Sequence, residues 1–282
     1  MNVFKKIRCL VSLCFLGAFP TCAIEVPSLS VQLWSVKDDV KTNFSDTLKQ
    51  LADMGFEGVE FAGEFGEFKG DAPAIKKVLD TLGLKGSGAH ISFEQLSDEN
   101  FAKTVKFYQT LGVSNLIIGW EPRAWDNAGV KSVVTQLNIL AKKLMPFAMR
   151  IGIHNHHYEF ASYGETTYWD FIASNTDQAV ILQQDVGWTR FAGKDPIEYL
   201  NRYPKRTLTT HYKVALPENS QGQRPFIGQD STDWNALLKA NITLGDTQWI
   251  VVEQEEYPDG LSALAAVKIS KQGLDQIINR LH

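Results

Sequence analysis

A single α/β barrel of eight strands is the fold class the sequence predicts, and three observations carry the prediction. Short β-rich runs alternate with amphipathic helical stretches along the chain, the signature of a parallel sheet. Eight such units fit within the 282 residues, close to the ~250 residues typical of an eightfold β/α barrel. The turn after the first strand, Trp34-Ser35-Val36-Lys37-Asp38, is not the glycine-rich phosphate loop usual there in an open doubly wound sheet.

The elements follow in order. Residues 1–23 read as a signal peptide. Lys5, Lys6 and Arg8 form a positive start, and Cys9 to Phe19 is an apolar run too short to span a bilayer. Thr21-Cys22-Ala23 offers small residues before a cut after Ala23. All three cysteines (Cys9, Cys14 and Cys22) lie in this leader, which suits an oxidising compartment. Export to the periplasm is the expectation. Acylation of Cys22 as a lipoprotein ranks second, because Phe19-Pro20-Thr21 matches the required signal poorly.

Residues 24–282 then form the barrel. Leu29-Ser30-Val31-Gln32-Leu33-Trp34 is the first strand. Phe44, Leu48, Leu51 and Met54 make a helical stripe that Gly55 ends, and Phe56 to Phe61 is the second strand. Thr81-Leu82-Gly83-Leu84 closes the next helix before Gly88-Ala89-His90-Ile91. Phe101, Val105, Tyr108 and Leu111 lead through Gly112 to Asn115–Trp120. A long stripe from Val130 to Leu144 precedes Met149–Ile153. Ala179–Gln183, running on to Asp185, is the sixth strand, Thr207–His211 the seventh and Trp249–Glu253 the eighth. Ala265, Ile269, Leu274 and Ile278 mark the last helix. Residues 215–232 read as a long loop over the barrel mouth.

Composition is that of a globular protein, 44% hydrophobic and 21% charged. The formal charge is -4, and loss of the three leader cations takes it to -7. Such a chain has no basic field for nucleic acid. Neither does it carry a stable membrane span. A homo-oligomer is compatible with this composition.

In a barrel of this kind the site lies at the C-terminal strand ends. Glu60, His90, Glu121, His154, Asp185, His211 and Glu253 stand at seven successive ends. Solvation explains one polar residue there poorly seven times over, because the flanking strand residues are apolar. The fifth end, His154-Asn155-His156-His157, holds three of the six histidines. Alternation along a strand puts His154 and His156 on one face. Imidazoles and carboxylates from strands five to eight have the composition of a divalent-metal site, suited to Mn, Co, Zn or Fe(II). Trp34, Trp120 and Trp188 also lie at strand ends, where aromatic faces can stack on a sugar.

Val31-Gln32-Leu33-Trp34-Ser35-Val36, Gly58-Val59-Glu60-Phe61-Ala62-Gly63, His154 to Phe160, Gln184-Asp185-Val186-Gly187-Trp188, His211-Tyr212-Lys213 and Val252 to Tyr257 carry a resemblance. The chain resembles the xylose-isomerase-like TIM-barrel superfamily, which spans sugar phosphate isomerases and epimerases and family 2 AP endonucleases, in a branch with a His-Asn-His signature. The resemblance implies metal ligands Asp185, His211 and Glu253. Where many relatives read Glu-Asn-His, this chain reads His154-Asn155-His156, so the remaining ligand is His154 or Glu159. Mg joins the candidate ions.

It further implies removal of a proton next to a carbonyl, with Glu60, His156, Lys213 and Glu253 as the acid, base and catalytic candidates. His90, Trp120 and Trp188 are the expected substrate contacts. The expected function is an exported, metal-dependent sugar isomerase or epimerase on a small sugar or keto-sugar. Elimination from a 3-keto-glycoside by a lyase or hydratase is the alternative. A non-catalytic sugar-binding barrel is the option from another class. A DNA-repair endonuclease disagrees with the negative charge and the leader.

Overall fold

The computed structural model describes residues 25–218 and 220–281. The expected leader, residues 1–23, lies outside the described residues. Eight strands, β1 (Ser28–Gln32), β2 (Gly58–Phe61), β3 (Lys85–Ile91), β4 (Asn115–Ile118), β5 (Arg150–His154), β6 (Ile181–Asp185), β7 (Thr209–Tyr212) and β8 (Trp249–Val252), pair in parallel and close into a barrel, with β1 against β8. The eightfold α/β barrel expected from the alternation is the observed fold.

Helices α1 (Lys37–Thr42), α2 (Phe44–Asp53), α3 (Ala72–Leu82), α4 (Phe101–Leu111), α5 (Val130–Leu144), α6 (Tyr168–Asn175), α7 (Val186–Phe191), α8 (Pro196–Arg202), α9 (Trp234–Ala240) and α10 (Ala263–Asn279) surround the strands. Local chemistry sets their ends. Asn43, Asp71, Thr167, Asp185, Asp195, Asp233 and Ser262 each accept a backbone N–H at a helix start. Gly83 and Gly112 take the left-handed conformation that ends α3 and α4.

Most strand boundaries differ from the expectation by one or more residues, β2, β4, β7 and β8 among them. The first strand stops at Gln32, because the Gln32 side chain accepts the Trp34 N–H and starts a 3-10 turn over Leu33–Val36. The sixth begins at Ile181, after a turn closed by Val180 N to Asp177 O (2.9 Å). A two-stranded hairpin, Ser162–Tyr163 with Thr166–Thr167, was not anticipated.

The main apolar core lies between barrel and helices, from Val31, Val59, Phe61 and Ile153 on the strands to Leu48, Leu137 and Leu274 on the helices. A separate small cluster joins Ile117, Ile181 and Leu208. Gly152 leaves room there, since a Cβ would meet Ile117 Cδ1 at 2.6 Å and Ile181 Cβ at 2.8 Å. Above it the lumen is polar. Ser30, Gln32, Glu60, Ser87, Gln183, Thr209 and His211 are all buried, where barrels of this class usually stack branched apolar side chains. A bulge supports this change. Val59 pairs with Gly86 and Glu60 with Gly88, so Ser87 is left over. Its hydroxyl lies 2.6 Å from that of Ser30.

Candidate active site

The polar lumen forms the floor of the site, and Glu60 lies at its centre. Gln183 Nε2 donates to one Glu60 oxygen at 2.8 Å; Gln32 Nε2 at 2.8 Å and His211 Nε2 at 2.5 Å donate to the other. Burial alone would raise this carboxyl. The imidazoles of His90 and His211, with the donors from His211 and Gln183, outweigh it and hold the group below its ordinary value.

Gln183 orders the floor. Its Oε1 faces His90 Nε2 at 2.7 Å and His154 Nδ1 at 3.0 Å. An amide oxygen only accepts, so both nitrogens carry protons. His154 therefore presents a bare Nε2, which lies 3.8 Å from Asp185 Oδ2. Burial, then the neighbouring imidazoles of His211 and His90, hold His154 neutral, well below its ordinary pKa.

Asp185 is placed from both sides. Asn155 Oδ1 accepts its N–H at 3.0 Å, and its own Oδ1 caps α7 by accepting Trp188 N–H at 2.7 Å. Its Oδ2 is buried with no hydrogen-bond partner. Burial raises the Asp185 carboxyl to about 7, against the opposing pull of Lys213. His211 lies between carboxylates, Nε2 against Glu60 and Nδ1 at 3.1 Å from Glu253. Burial opposes its charge, but Glu60 and Glu253 prevail and raise it to about 10. Ligand atoms of His154, Asp185, His211 and Glu253 all lie within 4.8 Å of one another. This group could bind a metal ion.

Above the floor is a cavity of about 720 Å³. His90, Trp120, His154, His156, Trp188, Lys213 and Glu253 reach its wall, so the structure brings every expected substrate contact to one place. The Lys213 ammonium is buried 3.4 Å from Glu253 Oε2, touches Glu255 and lies 4.5 Å from the Trp188 ring centroid. Burial disfavours its charge, but Glu253, Asp185 and Glu255 raise its pKa above the ordinary lysine value. His156 is the opposite case. Burial lowers it to about 3, its Nδ1 has no partner, and its ring stands edge-on to Trp120 at 4.7 Å.

Four expectations change. Glu60 is wholly buried and does not reach the cavity, so it orients His211, His90 and Gln183 from below instead of meeting substrate. Glu159 stands outside the four-residue donor group. Its Oε2 accepts the His156 N–H at 2.8 Å, which leaves His154 as the fourth member. Glu121 turns away, capping the turn at Pro122–Trp125 and pairing with Arg123 at 2.7 Å. The loop over 215–232 likewise places none of its described residues on that cavity's wall. With Gly187, Arg190 and Lys213 it walls a neighbouring cavity of about 200 Å³, and Gln254 Nε2 donates to Pro225 O (2.9 Å).

Gln32, Gln183, Asn155 and Glu255 also belong to the site and were not anticipated. Gln183 lies two residues before Asp185 on β6, on the same face, so alternation carried a signal for it.

No protein-family model matches the chain. Among curated proteins it is similar to the rhizopine catabolism protein MocC of Rhizobium meliloti, 24% identical over 282 residues and 84% of each chain. It is also similar to inosose dehydratase of Geobacillus kaustophilus, 21% identical over 83% of this chain and 87% of that one. A solved sugar phosphate isomerase/epimerase from Parabacteroides distasonis superposes with a TM-score of 0.73 at 22% identity, covering 90% of this chain and 95% of the other. A solved xylose isomerase domain protein from Alicyclobacillus acidocaldarius superposes with a TM-score of 0.65 at 16% identity, covering 89% of this chain and 98% of the other. What these structures share with this chain is the fold, a closed barrel of eight parallel strands ringed by helices.

Proposed function

We propose that this chain is a divalent-metal-dependent sugar isomerase or epimerase that removes the proton next to a carbonyl. The observation that carries the reading is the convergence of His154, Asp185, His211 and Glu253 beneath a cavity that also holds a neutral His156 and a protonated Lys213. The donor set fits an ion once His211 gives up the Nδ1 proton that faces Glu253. Asp185 Oδ2 is buried without a partner, and Gln183 leaves His154 Nε2 bare beside it. Imidazole and carboxylate ligands suit Mn, Co, Zn or Fe(II). When bound, the ion would polarise the carbonyl and make the neighbouring C–H more acidic.

The remaining work belongs to the chain. His156, held neutral by burial on the cavity wall, is the side chain that would take the proton. The Lys213 ammonium supplies a proton or a positive charge at the oxygen side. Glu253 holds Lys213 and His211 in place, and Glu60 fixes His211 from below.

Lys213 also favours a second reading, elimination, which the dehydratase relatives perform by name. His156 would take the proton, a C=C bond would form and the neighbouring C–O bond would break. Lys213 would give its proton to the departing oxygen, which leaves as water or an alcohol. Both readings share the first step, so proton–deuterium exchange into a panel of keto-sugars in heavy water tests them together. Asp185→Ala should lose bound metal and exchange; retention of both would refute the site. We also propose export through the leader, for which N-terminal sequencing of the native protein should start at Ile24.

A further inference from the structure

The cavity above the donor group does not end where the chemistry ends. Trp34, Ala62 and Gly63 stand on its wall and also wall a second cavity of about 300 Å³, which runs on to Lys37, Asp38, Lys41 and Glu64. Trp34 therefore stands between two joined compartments. Its position is fixed: Nε1 donates to Glu255 Oε1 at 3.1 Å, and Lys37 Nζ lies 3.8 Å from the ring centroid. The ammonium takes one face of the indole, and the side chain as a whole is still 44% exposed. A fixed, half-open aromatic ring beside a reaction cavity is a stacking surface.

Size and charge say what would stack there. The inner cavity of about 720 Å³ falls within the ~300–1,000 Å³ of sites for drug-sized ligands and exceeds what one sugar ring fills. Among the described residues on its wall, Lys213 is the only Lys or Arg, and Glu253 and Glu255 already neutralise it. The outer compartment is lined by two lysines, Lys37 and Lys41, and two acids, Asp38 and Glu64, so its formal charges sum to zero. Neither compartment carries a net positive charge to favour a phosphate.

We propose that Trp34 forms an outer subsite for an uncharged second ring, so that the substrate is a keto-sugar carrying an aglycone or another sugar, not a free or phosphorylated monosaccharide. The proposal rests on the reaction proposed above for what happens in the inner compartment. The subsite is linked to that compartment through a chain of contacts. Trp34 donates to Glu255, Glu255 holds Lys213, and Lys213 reaches Glu253. Occupation of the outer ring therefore bears on the groups that handle the proton, and remote binding energy can serve the reaction.

The test is calorimetric binding, which needs no turnover. Glucose, galactose and mannose are each titrated as the free sugar, the 6-phosphate and the phenyl glycoside, against the metal-loaded protein and its Trp34→Ala and Trp34→Phe variants. For at least one sugar the phenyl glycoside should bind about tenfold tighter than the free sugar. Trp34→Ala should erase that gap between glycoside and free sugar, and Trp34→Phe, which keeps a ring, should retain most of it. Phenyl glycosides that bind no tighter than free sugars or not at all, a gap that survives Trp34→Ala, or tightest binding of the phosphates would overturn the proposal. A glycoside gap without proton exchange would leave the subsite standing and refute the reaction alone.

Discussion

At the scale of single side chains, uncharged groups decide what the charged ones can do. Gln183 accepts from two imidazoles and donates to Glu60, so it sets which nitrogen of His154 is bare. The donors themselves were legible in the sequence, because an ionisable residue at the end of an apolar strand stands out. Gln183 was not, since a buried amide has no compositional mark and shows its role only when its partners are in place. Glu159 was legible as an acid near the site but not as a backbone acceptor. Burial raises it from 4.5 to about 7. A raised carboxyl favours the folded state at low pH, fully below 4.5, and that contribution is lost as pH rises through 7. Glu159→Gln keeps an oxygen for the His156 N–H without the charge. It should therefore stabilise the protein at pH 8, by about 3 kcal/mol, and leave it unchanged at pH 4. Urea denaturation at the two pH values checks this.

At the scale of elements, alternation along the strands was the reliable guide. It put His154 and His156 on one face and fixed which strand residues enter the lumen. The ends were less legible. Gln32 bends β1 into a turn through a side-chain bond that no periodicity announces, and Glu121 leaves the site because Arg123, two residues on, captures it. The bulge in β3 was equally invisible, because its cause is the pairing of Glu60 with Gly88 across strands. Close packing around β5 gives a test. A side chain at Gly152 would push into Ile117 and Ile181 just below His154. Gly152→Val should cost about 1–3 kcal/mol or more by overpacking, read from the denaturant midpoint.

At the scale of the whole molecule, the alternation of strand and helix sufficed for a closed barrel, but not for the contents of its lumen. Among the described residues no helix is long and apolar enough to cross a membrane. The four converging donors come from the ends of four successive strands, β5 to β8, so an ion there would tie half of the eight-stranded wall together. Chelation should lower the thermal midpoint and added Mn or Zn should restore it. Saturation at a hundredfold excess over Kd contributes about 2.7 kcal/mol, and an unchanged midpoint would count against the ion. The polar lumen has one more consequence, for how such a barrel can change its ligands. Gln183 Oε1 accepts from both His90 and His154, and its amide cannot turn over because Glu60 takes its Nε2. A carboxylate at 154 would replace one of those donors with an acceptor and set two acceptors against each other. Exchange of imidazole for carboxylate at this position is thus energetically coupled to residue 183.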